Sequence, residues 1–157
     1  MTYLMALSIS TGILCGIWSQ ISIPMGMFTW AGFAGCTTYF ASGKHKMEGF
    51  LLTIRQNIFG VFCGMMIIVL GDHFPFPGSI IIFSGLVTFI MCIAGKYKYF
   101  AFIPGTFVGC FSTFAGNGDW KILIPSLFLG ALLGIGCELG GDLLFSIFGK
   151  NETEKQD

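Results

Sequence analysis

Charge is what this sequence lacks. Of its 157 residues only 10% are charged, eight acidic and eight basic, while 54% are hydrophobic and 16% aromatic. So few polar side chains do not cover a water-soluble globule, which excludes an ordinary soluble domain and leaves lipid as the surrounding solvent. There is no basic tract and no interleaving of basic with aromatic residues, so no nucleic-acid partner is expected. Histidine is scarce as well: His45 and His73 are the only two. Around them no Ser-His-Asp set, His-Glu-x-x-His stretch or phosphate-cradling loop assembles, so neither a catalytic residue nor a cofactor is expected, and the chain does not read as an enzyme. Six cysteines, Cys15, Cys36, Cys63, Cys92, Cys110 and Cys137, form no Cys-x-x-Cys pair. That spacing gives no metal-ligand pattern, and they read as small packing residues.

What is present is apolar length. Stretches near the roughly 20 residues that cross a bilayer cover about residues 4–22, 25–42, 49–70, 78–95, 99–116 and 121–147. Between them stand Ile23-Pro24, Gly43-Lys44-His45-Lys46, Phe74-Pro75-Phe76-Pro77-Gly78, Gly95-Lys96 and Gly116-Asn117-Gly118-Asp119, which carry the Gly, Pro and polar residues that end helices. The pattern predicts an all-α membrane protein of six transmembrane helices, one domain over residues 1–149, followed by a short charged tail at 150–157. The first helix lacks the basic start of a signal peptide and is expected to be retained. With helices alternating in direction, Lys44, Lys46, Arg55, Lys96, Lys98, Lys150 and Lys155 share one side with both termini, and Lys121 stands alone on the other. The positive-inside rule then makes both termini cytoplasmic.

The chain also matches itself. Cys36 and Cys110 lie 74 positions apart (110 − 36), as do Cys63 and Cys137 (137 − 63). At that offset Phe33, Gly35, Cys36, Phe40, Ala41, Gly60 and Cys63 meet identical residues at Phe107, Gly109, Cys110, Phe114, Ala115, Gly134 and Cys137. Each unit holds three helices, an odd number, so the second enters the membrane from the opposite side. The expected arrangement is two inverted three-helix repeats, about 4–70 and 78–147. Gly60 and Gly64, Gly105 and Gly109, and Gly130 and Gly134 have the four-residue spacing that lets helix backbones approach closely, within a subunit or in a homo-oligomer.

Polar residues within the apolar stretches are the candidate functional ones. Glu138 and Asp142, four apart, share one face of the sixth helix, which must look into protein or water rather than lipid. Arg55 and Asn57 enter the third helix, with Arg55 at a similar depth to Glu138. Two readings stay open: an ion pair between Arg55 and Glu138, or a solute or proton path. Thr38 on the second helix and Ser112 on the fifth either line such a path or bond their own helix backbone. Trp18, Trp30 and Trp120 are expected at the headgroup level.

The stretch Trp-Ala-Gly-Phe-Ala-Gly-Cys-Thr-Thr-Tyr-Phe-Ala-Ser-Gly at 30–43, with Ile-Pro-Gly-Thr-Phe at 103–107, resembles the small bacterial inner-membrane proteins grouped as domain of unknown function 1097. The resemblance implies a bacterial inner-membrane location and a six-helix protein, and supplies no substrate or catalytic residue. The expectation is a channel or transporter for a small solute. The alternative is a non-transporting membrane subunit that assembles with or regulates another protein. In either case the partners are membrane lipids and further copies of the chain.

Overall fold

The computed structural model describes residues 1–149 and is all-helical, with no strand among those residues. Its elements are α1 (Tyr3–Ile21), α2 (Thr29–Ala41), α3 (Lys46–His73), α4 (Ser79–Ala94), a single 3-10 turn (Lys98–Phe100), α5 (Ile103–Ala115) and α6 (Trp120–Phe148). The expected tail at 150–157 lies outside the described residues. Helix starts and stops follow local chemistry. Thr2 and Asp119 accept from the backbone N–H groups of Met5 and Ile122, capping α1 and α6, and Gly26 takes a positive φ of 67° in the turn between α1 and α2.

Three helices, α1, α3 and α6, are long and apolar enough to cross a membrane. The other three are shorter than expected. α2 and α5 have 13 residues each, about 20 Å of helix against the ~30 Å of a bilayer's hydrocarbon core. The sequence blurs this because Ile23–Phe28 and Tyr99–Phe102 are as apolar as the helices they precede, while Pro24, Gly26 and the 3-10 turn delay the helix start. The outer surface is apolar. On α1, Met5, Ile9, Ile13, Ile17 and Ile21 form an exposed stripe at four-residue spacing. So large a continuous apolar surface belongs against lipid.

The helices hold one another through backbone. α2 lies along α6 and α5 along α3, each pair with its chains running the same way. A methyl group added at Gly35 would overlap the Leu127 carbonyl oxygen, and one at Gly130 the carbonyl of Gly32. On the other pair, a methyl at Gly109 would overlap the Asn57 carbonyl, and one at Gly60 that of Thr106. Gly64 packs on Thr113, Gly105 on Phe102 and Gln56, and Gly134 on the Tyr39 ring. α1 runs against α6 in the opposite direction, with Gly140 against Ser10 and Gly141 against Leu7. Trp18 does not face outward from the bundle. It is buried over Gly32, its indole N–H donating to the Thr29 carbonyl at 2.9 Å.

Since lipid supplies no hydrophobic drive between helices, these close approaches set the bundle's stability. Gly109→Ala is expected to lower it by about 3 kcal/mol, the scale of overpacking in a tight core. Gly71→Ala and Gly85→Ala, where nothing lies within 4 Å of the added methyl, should be neutral or stabilise by up to ~1 kcal/mol. Unfolding of the three variants in one detergent checks the contrast.

Candidate functional site

Glu138 is the only buried charged residue among those described. Tyr39 on α2 donates its hydroxyl to Glu138 Oε2, Lys46 donates its backbone N–H to the same oxygen at 3.0 Å, and His45 Nδ1 lies 2.8 Å from Oε1. Lys46 is the first residue of α3 and His45 its N-cap, with no side-chain cap of its own. The carboxylate of α6 therefore caps α3 from a distance, placing negative charge on orphan N–H groups at the positive end of the helix dipole. Lys46 takes a positive φ of 50°, a left-handed conformation that a lysine rarely adopts. The strained N–H points at Glu138. One turn on, Asp142 accepts from the Tyr3 hydroxyl at 3.0 Å, and the N-terminal amine reaches the Phe148 carbonyl at 3.4 Å, fastening the start of α1 to the end of α6.

Arg55 does not pair with Glu138. Its guanidinium lies 5.4 Å from the centre of the Tyr99 ring. It lines a cleft of about 510 Å³ with Lys44, Glu48, Lys98 and Tyr99. Lys44 is itself bridged to Glu48 at 3.0 Å. Counting residues from the helix ends put Arg55 level with Glu138, but Glu138 meets Lys46 at the start of α3, nine residues before Arg55 (55 − 46), and Arg55 faces Tyr99 of the 3-10 turn. His45 and His73 stand at opposite ends of the same helix.

A second set is buried in the seam between α2, α3 and α5. Thr38 Oγ1 lies 3.1 Å from Asn57 Oδ1 and 2.9 Å from its own Ala34 carbonyl, so its one proton serves either. Thr106 donates to Gln56 Oε1 at 2.8 Å, and Gln56 Nε2 donates to the Tyr99 carbonyl at 2.9 Å. Three side-chain atoms here are buried without a hydrogen-bond partner: Asn57 Nδ2, Thr53 Oγ1 and Ser112 Oγ. Asn57 also borders a cavity of about 30 Å³ with Ile54, Ile58, Ile124, Leu127 and Phe128, which is room for a water molecule.

Among the residues singled out from sequence, Thr38 and Asn57 are brought together, Glu138 and Asp142 are tied to different partners, and Arg55 is set apart. Sequence reasoning missed the roles of His45 and Lys46, which read only as a helix-ending loop, and of Thr53 and Gln56, hidden in an apolar helix. A polar residue every three or four positions at 53, 56 and 57 was the available signal. The fold also gathers three cysteines that sequence spacing kept apart: Cys15, Cys36 and Cys137, from three helices, with sulfur atoms within 4.8 Å of one another.

The chain is 39% identical over 160 residues to inner membrane protein YcdZ of Escherichia coli, covering 100% of this chain and 97% of that protein. It is 38% identical to inner membrane protein YcdZ of Salmonella typhimurium, over 90% of this chain and 89% of that one. Protein YahC of Escherichia coli, described as uncharacterized, is 26% identical over 92% and 94% of the two chains. No solved structure matches. The relatives' names and the apolar helices together support the inner membrane as its location. With residues 8–142 matched by the model for "Protein of unknown function (DUF1097)", the chain belongs to that family.

Proposed function

We propose that this protein is a channel or transporter for a small solute, without enzymatic chemistry, built as six membrane passes in two inverted repeats with both termini cytoplasmic. The observation that carries the reading is that three of the four unpartnered buried atoms are Asn57 Nδ2, Thr53 Oγ1 and Ser112 Oγ, the fourth being Arg55 Nε. A buried polar atom without a partner costs about 1–3 kcal/mol, so water or solute passing along the α2–α3–α5 seam is their natural partner. The repeat draws support from contacts at the 74-residue offset. Gly35 meets Leu127–Ala131 on α6, and Gly109, 74 positions on (109 − 35), meets Asn57 on α3, itself 74 before Ala131 (131 − 57). Lys44, Arg55 and Lys98 meet at one cleft, whereas Lys121 stands at the other end of α6, as the positive-inside rule requires of a cytoplasmic face. The small-residue face of Gly12 and Gly16 on α1 has nothing within 4 Å and offers a contact for further copies of the chain. The second reading, a non-transporting membrane subunit, draws on the glycine-packed core, whose cavity beside Asn57 has only about 30 Å³.

Proteoliposomes challenged with osmotic steps of small neutral and charged solutes separate the two. Transport predicts permeability above that of empty liposomes for at least one solute. Asn57→Leu should reduce it about tenfold, the effect of one lost hydrogen bond of ~1.4 kcal/mol. Permeability equal to empty liposomes for every solute favours the membrane subunit. A reporter fused after residue 157 is expected to be active only in a form that works in the cytoplasm; periplasmic activity would remove both the orientation and the inverted repeat.

In this reading Glu138 is a latch at the cytoplasmic end, joining α6 to α2 and α3. Glu138→Gln is expected to lower stability by about 2 kcal/mol, the range for hydrogen bonds to a charged group. Tyr39→Phe should be strongly non-additive with it, because the two share one hydrogen bond. Arg55→Gln should add to Glu138→Gln without rescue. Thermal unfolding of the singles and doubles measures both couplings.

A further inference from the structure

Cys15 on α1, Cys36 on α2 and Cys137 on α6 place their Sγ atoms within 4.8 Å of one another, Cys36 and Cys137 buried and Cys15 half-buried. We propose that this triangle is a three-sulfur binding site for copper(I). Sulfurs bound at ~2.3 Å around a trigonal ion stand about 4 Å apart. The observed triangle therefore needs each sulfur to move inward by about half an ångström at most, a small side-chain adjustment.

Ligand chemistry selects the ion. Among the described residues no imidazole or carboxylate joins the cluster, which is sulfur alone. Calcium and magnesium need oxygen ligands, and zinc fills four positions in closed sites. Soft sulfur donors select copper(I), which is satisfied by three. The site lies midway along α1, α2 and α6, where a hard ion would shed its hydration without replacement. On loading, each sulfur that binds as a thiolate releases its proton to solvent, and neither sulfur nor copper changes oxidation state.

Packing, not loop closure, sets the ligands. Ser10 donates to the carbonyl of Cys137 itself at 2.9 Å, pinning α1 to α6 beside the cluster. Gly35, next to Cys36, seats α2 on the α6 backbone. The other half of the molecule supplies an internal comparison. Cys63 and Cys110, 74 positions from Cys137 and Cys36, share a buried cluster, but the position 74 after Cys15 is Phe89 (89 − 15). No third sulfur joins that pair among the described residues. The copper site uses neither α3 nor α5 and does not depend on the transport reading.

The test uses the full-length protein, purified anaerobically in detergent with free thiols and titrated with copper(I) against a competing copper(I) chelator. One copper per chain is expected, with only sulfur neighbours in X-ray absorption, and with a higher unfolding temperature on loading. Cys15→Ala, Cys36→Ala and Cys137→Ala should each weaken binding by at least about tenfold, the loss that removing even an outer partner of a metal site produces. Cys63→Ala and Cys110→Ala should bind as the native protein does. Cys15, only half-buried, is the variant most able to fold, and size-exclusion behaviour and thermal unfolding establish that it has. A folded Cys15→Ala with native affinity, a native protein that takes up no copper(I), or one that retains zinc in preference to copper(I) overturns the proposal.

Discussion

The whole bundle depends on how near two backbones can come. At Gly35 and Gly130 between α2 and α6, and at Gly60 and Gly109 between α3 and α5, the place of a side chain is taken by the neighbouring helix's own carbonyl groups. Lipid tails are as apolar as leucine, so burial of leucine drives nothing here; dense contact and polar pairing do. Everything chemically interesting sits next to one of these approaches. Gly134 receives the Tyr39 ring, and the next turn of α6 brings Glu138 to the Tyr39 hydroxyl. Asn57 lies with its carbonyl on Gly109, so its amide is carried into the seam. Cys36 follows Gly35, and Cys137 follows the α6 stretch that α2 rides on.

A membrane interior tolerates polar atoms only when they are answered, which explains the form of the Glu138 cluster. A helix beginning near the bilayer has N–H groups that water does not reliably reach, and α3 brings no capping side chain of its own. A carboxylate from another helix solves that problem and in doing so joins three segments that are distant in sequence. The molecule does this on one side only. Position 64, 74 residues before Glu138 (138 − 64), is a glycine packed on Thr113, so the corresponding place in the other half closes by contact rather than by charge.

Much of this was legible in the residues. Helix number, order and most ends follow from apolar runs and Gly-Pro punctuation, because those act locally. The short spans of α2 and α5 were not legible, since hydropathy does not distinguish an apolar turn from an apolar helix; Pro24 and Gly26 were the only marks. Glu138 stood out as a charge in an apolar helix, yet its partners did not. Tyr39, His45 and Lys46 become neighbours only when α2 lies along α6, and that follows from glycine contacts between segments about 95 residues apart (130 − 35). Arg55 shows the limit of counting depth along the sequence: Glu138 reaches the very start of α3 at Lys46, nine residues short of Arg55 (55 − 46). Trp18 was read as a surface anchor because tryptophan is usually one, and Gly32 is what makes room to bury it. The cysteine triangle was invisible to spacing rules, which find ligands along a strand of sequence and not across three helices.

The pairing of α2 with α6 also governs the order in which the protein is made. α2 ends at Ala41 and α6 begins at Trp120, 79 residues later (120 − 41). At ~5–20 residues per second of synthesis, α2 leaves the ribosome roughly 4–16 s before its partner exists. During that interval it is a short helix with glycines bared along the face that α6 will cover. α5 has no such wait, because α3 is already in place when it emerges. The first half of the chain is therefore the one exposed to the insertion machinery and to proteases that survey incomplete membrane proteins, and the arrival of the last helix is what ends that exposure.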